Sequence, residues 1–171
     1  MDVGPQWRPT SDGPLAPPSR SRPQTLAEFY KDSYVPMVRL AILLTGSTEV
    51  AQDLVQDSFV KLHRRWTAID DPQAYLRRVV VNTCRSHHRR RARDVNARDR
   101  LVADLTPVAL AADELGDALA RLPYRQHAAL VLRFCEDLSE ADTARALGCR
   151  PGTVGSLVSR GLAELRKVVE Q

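Results

Sequence analysis

Helical periodicity is the feature that most constrains the fold of this 171-residue chain. Between Ala51 and Trp66, apolar residues recur at intervals of three and four, the spacing that places side chains on one face of an α-helix. Aromatic residues make up only 5% of the sequence, which disfavours a strand-rich core. The sequence therefore predicts an all-α protein.

The helical patterns fall into two segments. Block one spans residues 25–93 and block two spans residues 113–171. Residues 94–112 mix charged and small side chains around a single proline, a composition typical of a flexible linker. Residues 1–24 contain six prolines and few apolar residues, so we expect a disordered Pro-rich tail. We predict two small helical domains joined by a flexible linker.

Local signals predict where the helices of block one begin and end. Thr25 followed by Glu28 forms a capping-box sequence, so the first helix should begin at residue 26. Gly46 should end it, and Pro36 should kink or interrupt it. Ser47 or Thr48 can cap the second helix.

The third predicted helix has an unusual distribution of charge. Seven arginines, two histidines and no acidic residue lie between residues 75 and 93. Arg78, Asn82, Arg85 and Arg89 share one outward face, which we call the basic stripe. Guanidinium groups repel one another unless they are neutralised, so the pattern indicates a polyanion such as nucleic acid. The amide of Asn82 could read a base edge. A plain basic surface helix is the alternative interpretation.

Carboxylates follow one side of the second predicted helix. Glu49, Asp53 and Asp57 lie one turn apart with Gln56 beside them, and we call these four residues the acidic face. A solvated surface is the commoner explanation of such a pattern. The alternative is a docking surface for a basic partner.

Block two contains the steric pattern of a helix-turn-helix. Ser139 can cap one helix, Gly148 can close it in the left-handed conformation, and Pro151 can begin the next helix. The small residue Ala144 lets the two helices approach. The second helix of such a motif enters the DNA major groove. Its candidate DNA contacts are Arg150, Thr153, Ser156, Ser159 and Arg160, and its predicted inner face is Val154, Val158, Leu162 and Leu165. A helical hairpin that contacts no DNA is the alternative.

Several classes of function are disfavoured. No apolar run approaches the roughly 20 residues that cross a bilayer, and the first residues lack the apolar core of a signal peptide. An odd number of cysteines without a C-x-x-C motif fits a reducing cytoplasm, where Cys135 and Cys149 should be small buried side chains. Cys84 and His87 supply only two metal ligands, so we expect no metal site. The four histidines form no metal or triad pattern with the cysteines or carboxylates, so we expect no cofactor and no catalytic site.

Three stretches together resemble the bacterial RNA polymerase sigma factors of the sigma-70 type, in the extracytoplasmic-function (ECF) group. These are EVAQDLVQDSFVKL at residues 49–62, AYLRRVVVNTCRSHHRRR at residues 74–91, and LPYRQHAALVLRFCEDLS at residues 122–139, which leads into the helix-turn-helix. The resemblance covers about residues 25–169.

This resemblance implies a function. Block one would be sigma region 2, which binds core RNA polymerase and the −10 promoter element. Block two would be sigma region 4, which binds the −35 element. A sigma factor recognises promoters and assists strand opening, and it carries out no bond chemistry. An anti-sigma factor is a further partner that the family suggests, although no residue identifies one. An autonomous helix-turn-helix repressor that needs no polymerase is the alternative, and it leaves the basic stripe and the acidic face without a role.

The resemblance also assigns roles to individual residues. The loop after Trp66 would receive a base flipped from the non-template strand, and block two would dock on the polymerase flap. Core binding, on the clamp helices of the largest subunit, would involve Asp53, Leu54, Gln56 and Asp57. Contacts to the −10 region would come from Arg77, Arg78, Asn82, Arg85 and Arg89, and contacts to the −35 element from the five candidates named above.

Block two departs from the family pattern in its last helix. Gly155 and Leu157 stand where the family often has basic residues. Gly155 and Gly161 also lower helix propensity by about 1 kcal/mol each relative to alanine. These departures predict weak or unusual reading of the −35 element, with the third helix supplying more of the affinity for DNA.

Overall fold

The computed structural model describes residues 25–98 and 114–169, and every element in those two ranges is helical. The all-α prediction is confirmed. The predictions for the tail and for residues 99–112 lie outside the described residues. The elements are α1 (Leu26–Thr45), α2 (Thr48–His63), a 3₁₀ turn (Trp66–Ala68), α3 (Pro72–Arg98), α4 (Glu114–Arg121), α5 (Tyr124–Leu130), a π-helical turn (Val131–Cys135), α6 (Glu140–Leu147) and α7 (Pro151–Val169).

Helix α1 begins and ends as its capping signals predict. The Glu28 backbone N–H donates to the Thr25 hydroxyl at 3.2 Å, and the Thr25 backbone N–H donates to a Glu28 carboxylate oxygen at 3.0 Å. Gly46 closes the helix at φ 76°, where a side chain would be strained. The helix continues through the exposed Pro36, so the predicted interruption does not occur. Buried residues before and after the proline, including Phe29 and Leu40, hold both halves of α1 against the core.

Block one is a three-helix unit formed by α1, α2 and α3. Helix α2 begins after Ser47, whose hydroxyl accepts from the Val50 backbone N–H, and its predicted apolar face is buried from Ala51 to Leu62. Helix α3 buries Leu76 and Val80 against α1 and α2. The helix also extends to residue 98, five residues into the predicted linker.

Block two contains the predicted helix-turn-helix. The Ser139 hydroxyl accepts from the Asp142 backbone N–H at 3.0 Å and so caps α6. Gly148 ends α6 at φ 61°, and α7 begins two residues later at Pro151. Ala144 is 2% exposed, which is consistent with the close approach of α6 and α7.

The inner face of α7 differs from the prediction. Val154 and Leu157 are buried, whereas Leu162 is 36% exposed. This difference arises from the close packing of α7 on α5 at Gly161. A Cβ atom at this position would lie only 2.9 Å from Cδ1 of Leu130 on α5. The glycine brings α5 and α7 together along the side that contains Leu157, and it turns Leu162 outward. Gly161 therefore has a packing role in addition to its cost in helix propensity.

The predicted burial of the cysteines is wrong for Cys135, which is exposed, and Cys149 is half-buried. Cys135 ends the π-helical turn, and the neighbouring Phe134 is 63% exposed. A π turn contains more residues than an α turn and therefore rotates side chains away from the α-helical pattern. By contrast, Cys84 is buried, and its burial raises the pKa of the thiol to about 12.

The two blocks pack against each other, which the sequence did not predict. Helix α6 lies against α3, and α5 also contacts α3. The Tyr124 hydroxyl donates to the backbone carbonyl of Val81 at 2.7 Å. The ring centroids of Tyr124 and His88 are 5.6 Å apart. The described parts of both blocks therefore contribute to one apolar core.

The Gly161 contact gives a test of the packing of α7. We expect Gly161→Ala to lower the free energy of unfolding by about 1–2 kcal/mol, because the new methyl group overpacks Leu130. Gly155→Ala is the matched control on the same helix, since its Cβ would meet only a Glu140 oxygen at 3.9 Å. The control should raise stability by up to about 1 kcal/mol through helix propensity. Urea unfolding measures both, and equal stabilisation by the two substitutions would contradict the packing role.

Candidate nucleic-acid and polymerase interfaces

The basic stripe lies on the side of α3 opposite its buried residues. Arg78, Asn82 and Arg89 are exposed, and Arg85 is half-buried. Asp71 caps the start of the helix, because one of its carboxylate oxygens accepts a hydrogen bond from the Ala74 backbone N–H at 2.9 Å. Among the described residues, none of the three stripe arginines forms an ion pair with a carboxylate. The stripe is therefore an unneutralised cationic surface with one amide in it.

Arg77, the remaining candidate for the −10 region, has a different environment. It is half-buried at the junction of the two blocks, and its Nε atom is buried without a hydrogen-bond partner. Burial raises the pKa of Glu136 in block two, and the nearby Arg77 charge acts in the opposite direction. The pKa of Asp142 is lowered chiefly by the hydrogen bonds that its carboxylate accepts from Ser139 and Arg145, and Arg77 makes the smallest contribution. Arg77 thus lies within electrostatic range of Glu136, a proximity that no sequence spacing indicated.

The loop before α3 is short. A 3₁₀ turn occupies residues 66–68, and Pro72 and Gln73 already belong to α3. Trp66 is half-buried, with its ring centroid 5.5 Å from that of Phe29. A Gln73 oxygen accepts from the Ser33 hydroxyl at 3.0 Å and ties α3 to α1. The loop is consequently held at both ends, with Asp70 exposed between them.

The acidic face lies on the solvent side of α2. Its four members are exposed, and within the described ranges none of its three carboxylates pairs with a cation. Leu54, the other residue implied in polymerase binding, is only 6% exposed and packs in the core. Leu54 therefore anchors α2, while the carboxylates and the amide of Gln56 form the surface that is open to a partner.

The helix-turn-helix presents its candidate residues around the start of α7. Arg150, Ser156, Ser159 and Arg160 are exposed, and Thr153 is half-buried. The Thr153 backbone N–H donates to the Arg150 carbonyl at 3.0 Å, which closes the first turn of the helix. Leu157 is 9% exposed and belongs to the core, so its side chain faces inward and does not reach the surface that the candidate DNA contacts share.

His127 of α5 lies at the contact between the blocks. Burial lowers the pKa of its imidazole to about 4, and the nearby His88 adds to this effect. A hydrogen bond to the backbone carbonyl of Leu43 on α1 acts in the opposite direction. His127 is therefore neutral at pH 7 in the folded protein.

The parts of the chain that the structure describes hold no group of three or more His, Cys, Asp and Glu side chains arranged to bind a metal ion. No helix within residues 25–98 and 114–169 is both long enough and apolar enough to cross a membrane.

Comparisons with known proteins identify the family. Residues 29–94 match the family model for Sigma-70 region 2, and residues 112–165 match the model for Sigma-70, region 4. The RNA polymerase sigma-E factor of Streptomyces avermitilis is 35% identical over 150 residues, which cover 84% of this chain and 84% of that protein. The SigM protein of Mycobacterium tuberculosis, an ECF RNA polymerase sigma factor, is 34% identical over 150 residues, which cover 83% of this chain and 76% of SigM. The chain belongs to the ECF sigma factors.

A solved structure supports the same assignment. The sigma factor RpoE of Bartonella quintana, in complex with the anti-sigma factor NepR, superposes with a TM-score of 0.66 at 25% identity, covering 84% of this chain and 97% of that one. As a sigma factor, this chain is a transcription-initiation factor that binds core RNA polymerase and promoter DNA, and it is not an enzyme. Family membership also argues against the repressor alternative.

The low pKa of His127 predicts acid-dependent stability. Below pH 6.5 the unfolded chain binds a proton at this imidazole and the folded protein does not, so stability is greatest above pH 6.5 and falls as the pH decreases towards 4. Between pH 7 and pH 5, wild type should lose about 1–2 kcal/mol more than His127→Gln, whose amide can still donate to the Leu43 carbonyl. Urea unfolding at the two pH values measures this difference. Equal losses in the two proteins would show that His127 does not titrate in this way.

Proposed function

We propose that block one acts as sigma region 2, that block two acts as sigma region 4, and that residues 94–112 link them. In this proposal the chain directs core RNA polymerase to promoters and assists strand opening. The observation that carries it is that block one has two charged surfaces on neighbouring helices. The cationic stripe on α3 and the acidic face on α2 are both free of ion pairs among the described residues. One surface suits DNA and the other suits a basic protein partner. Run-off transcription with core polymerase on genomic fragments is the direct test, since a repressor would produce no transcript.

Polymerase binding is proposed for the acidic face. Asp53, Gln56 and Asp57 are exposed on consecutive turns of α2, and the buried Leu54 fixes their orientation. The clamp helices of the largest polymerase subunit are the expected partner by family resemblance. Block two would dock on the flap, so that the two blocks contact separate parts of the enzyme.

Recognition of the −10 element is proposed for α3 and for the loop before it. Arg78, Arg85 and Arg89 would hold the phosphates of the opened strand, and Asn82 would contact a base. The loop after Trp66 would receive a flipped base. Arg77 is half-buried near Glu136, so it is less accessible to DNA than Arg78 and Arg89. Binding energy gained on the opened strand is what favours strand separation.

Recognition of the −35 element is proposed for the beginning of α7. Four of the five candidates are exposed around its first turns, and they comprise two guanidiniums and two hydroxyls able to contact phosphates and base edges. Gly155 is exposed and brings no side chain to this surface, and Leu157 faces inward. Weak −35 reading therefore stays a prediction.

Regulation and location are proposed by similarity. The RpoE protein of Bartonella quintana is bound to the anti-sigma factor NepR in its solved structure. We propose that an anti-sigma protein also controls this chain, and that the chain acts in the cytoplasm, where RNA polymerase works.

Charge reversal on α2 tests the polymerase interface. We expect Asp53→Lys with Asp57→Lys to weaken binding to core polymerase more than tenfold, because both carboxylates would be replaced by charges that repel a basic surface. Asp32→Lys is the matched control, since Asp32 is an exposed acid of the same block on α1. Fluorescence anisotropy of labelled chain titrated with core polymerase measures the affinity. Unaltered binding by the double variant would remove the acidic face from the interface.

Removal of stripe arginines tests the DNA interface. Arg78→Ala with Arg89→Ala should weaken binding of the holoenzyme to a single-stranded non-template −10 fragment and reduce the salt dependence by about 0.7 per lost phosphate contact. Arg39→Ala provides the control, because Arg39 is an exposed arginine that belongs to α1 and not to the stripe. A salt slope identical to that of wild type would mean that these arginines do not contact phosphates.

A further inference from the structure

A pair of stacked aromatic rings lies on the surface near the start of α1. The ring centroids of Tyr30 and Tyr34 are 5.0 Å apart, and the ring planes are inclined by 27°. Tyr30 is 40% exposed, and Tyr34 is half-buried. Both rings contact Phe59 of α2, whose centroid is 4.7 Å from that of Tyr30 and 6.3 Å from that of Tyr34. We call Tyr30 and Tyr34 the tyrosine pair.

The tyrosine pair is rigidly supported from beneath and open above. Phe59 is buried and belongs to the apolar core, so it fixes the position of both rings. Within residues 25–98 and 114–169, neither hydroxyl of the pair has a hydrogen-bond partner. Tyrosine rings that offer apolar area together with a hydroxyl donor are enriched at binding interfaces. The pair therefore has the properties of a binding surface.

Apolar residues extend this surface along α1. Ala27 lies three residues before Tyr30, and Val38 lies four residues after Tyr34, so the helical period places both in line with the pair. Ala27 is exposed, and Val38 is half-buried. The row from Ala27 to Val38 is about 16 Å long at 1.5 Å per residue. An extended segment of about five residues fits along a row of this length.

The sequence that precedes α1 has the composition that aromatic surfaces bind. Residues 1–24 contain six prolines, and residues 14–18 read PLAPP, which includes a P-x-x-P spacing. Proline restricts φ to about −65°, so a segment of this kind loses little conformational entropy when it binds in the polyproline II conformation. Proline-rich segments dock in this conformation on grooves lined by aromatic side chains. The tail thus contains a ligand of the chemistry that the tyrosine pair suits.

Chain connectivity brings this ligand within reach of the pair. Six residues separate Pro18 from Thr25, the N-cap of α1. The seven steps from Pro18 to Thr25 reach at most about 25 Å. Tyr30 and Tyr34 follow Thr25 at about 8 Å and 14 Å along the helix axis. Residues 14–18 can therefore fold back and lie over both rings. A short tether also gives an effective concentration of about a millimolar, so a weak contact is enough to populate the docked form.

We propose that residues 14–18 of the tail dock on the tyrosine pair as an intramolecular proline-rich ligand. The prolines pack on the rings of Tyr30 and Tyr34, and the tyrosine hydroxyls donate to backbone carbonyls of the segment. Docking removes exposed aromatic surface from water. Phe59, beneath the pair, lies three residues after Gln56 of the acidic face and is its neighbour on α2. The docked tail therefore borders the surface proposed for polymerase, although the docking itself does not depend on that proposal.

Nuclear Overhauser effects in the full-length chain test the contact directly. We expect cross-peaks between the ring protons of the tyrosine pair and the proline ring protons of residues 14–18. Pro14→Ala with Pro17→Ala should remove these cross-peaks, and it changes no residue of the described helices. Tyr30→Ala should remove them from the other side of the contact.

Trypsin cleavage after Arg20 provides a second measurement on the same proteins. Arg20 lies two residues beyond the docked segment, so docking should protect this bond. Cleavage of a site that opens transiently follows the population of the open form. We expect release of the fragment 1–20, followed by mass spectrometry, to be about twofold to tenfold faster in the double proline variant and in Tyr30→Ala than in wild type.

Matched controls separate docking from general effects. Pro5→Ala with Pro9→Ala removes two prolines of the same tail outside the segment, and it should leave the cross-peaks and the cleavage rate unchanged. Phe134→Ala removes an aromatic side chain of block two that is 63% exposed, and it should also change neither quantity. Circular dichroism shows whether Tyr30→Ala is folded. The double proline variant decides the question if it is not.

The possible outcomes are distinct. Absence of the cross-peaks in wild type, or one cleavage rate for all variants, overturns the docking. Cross-peaks between a ¹³C-labelled and an unlabelled copy in a mixed sample would assign the segment to a neighbouring molecule and overturn the intramolecular contact as well. Failure of the wild-type chain to bind polymerase would instead overturn the proposed function, and the spectra and cleavage rates would still report on the tail.

Discussion

The structure depends on α3, a helix whose three sides have three different environments. One side of this helix, which includes Leu76 and Val80, completes the core of block one with α1 and α2. A second side contacts α6 and α5 of block two. The remaining side carries the basic stripe and stays in solvent. Because one helix serves all three surfaces, whatever alters the packing of block two also alters the environment of the residues proposed to hold DNA.

The two proposed partners, core RNA polymerase and promoter DNA, would bind to different helices of block one. The acidic face of α2 and the basic stripe of α3 do not pair with each other, although both helices belong to the same small core. Intramolecular ion pairs between them would neutralise both surfaces and weaken recognition of polymerase and of DNA. The buried residues on the two helices, such as Leu54 and Leu76, keep the charged sides apart. In this sigma factor the apolar core therefore sets the geometry of recognition.

Local features of the fold were predictable from the sequence, and long-range features were not. The ends of α1 and α6 follow from Thr25, Gly46, Ser139 and Gly148, because a cap depends on hydrogen bonds and backbone angles within a few residues. Arg78, Asn82 and Arg89 on α3 and the four residues of the acidic face are exposed for an equally local reason, the helical period. The exposure of Cys135 was missed because the π-helical turn departs from that period.

The sequence by itself determined the helical class, the ends of α1 and α6, the two blocks, the charged surfaces and the family. These properties are encoded by residues within about one helical turn of each other, or by motifs in a fixed order. Only the tertiary structure decided that block two packs on α3, that Arg77 lies near Glu136, and that Leu157 is buried where Leu162 is exposed. Each of these depends on which faces of distant helices meet. That choice is made by packing contacts such as Gly161 against Leu130, between residues that are remote in the sequence.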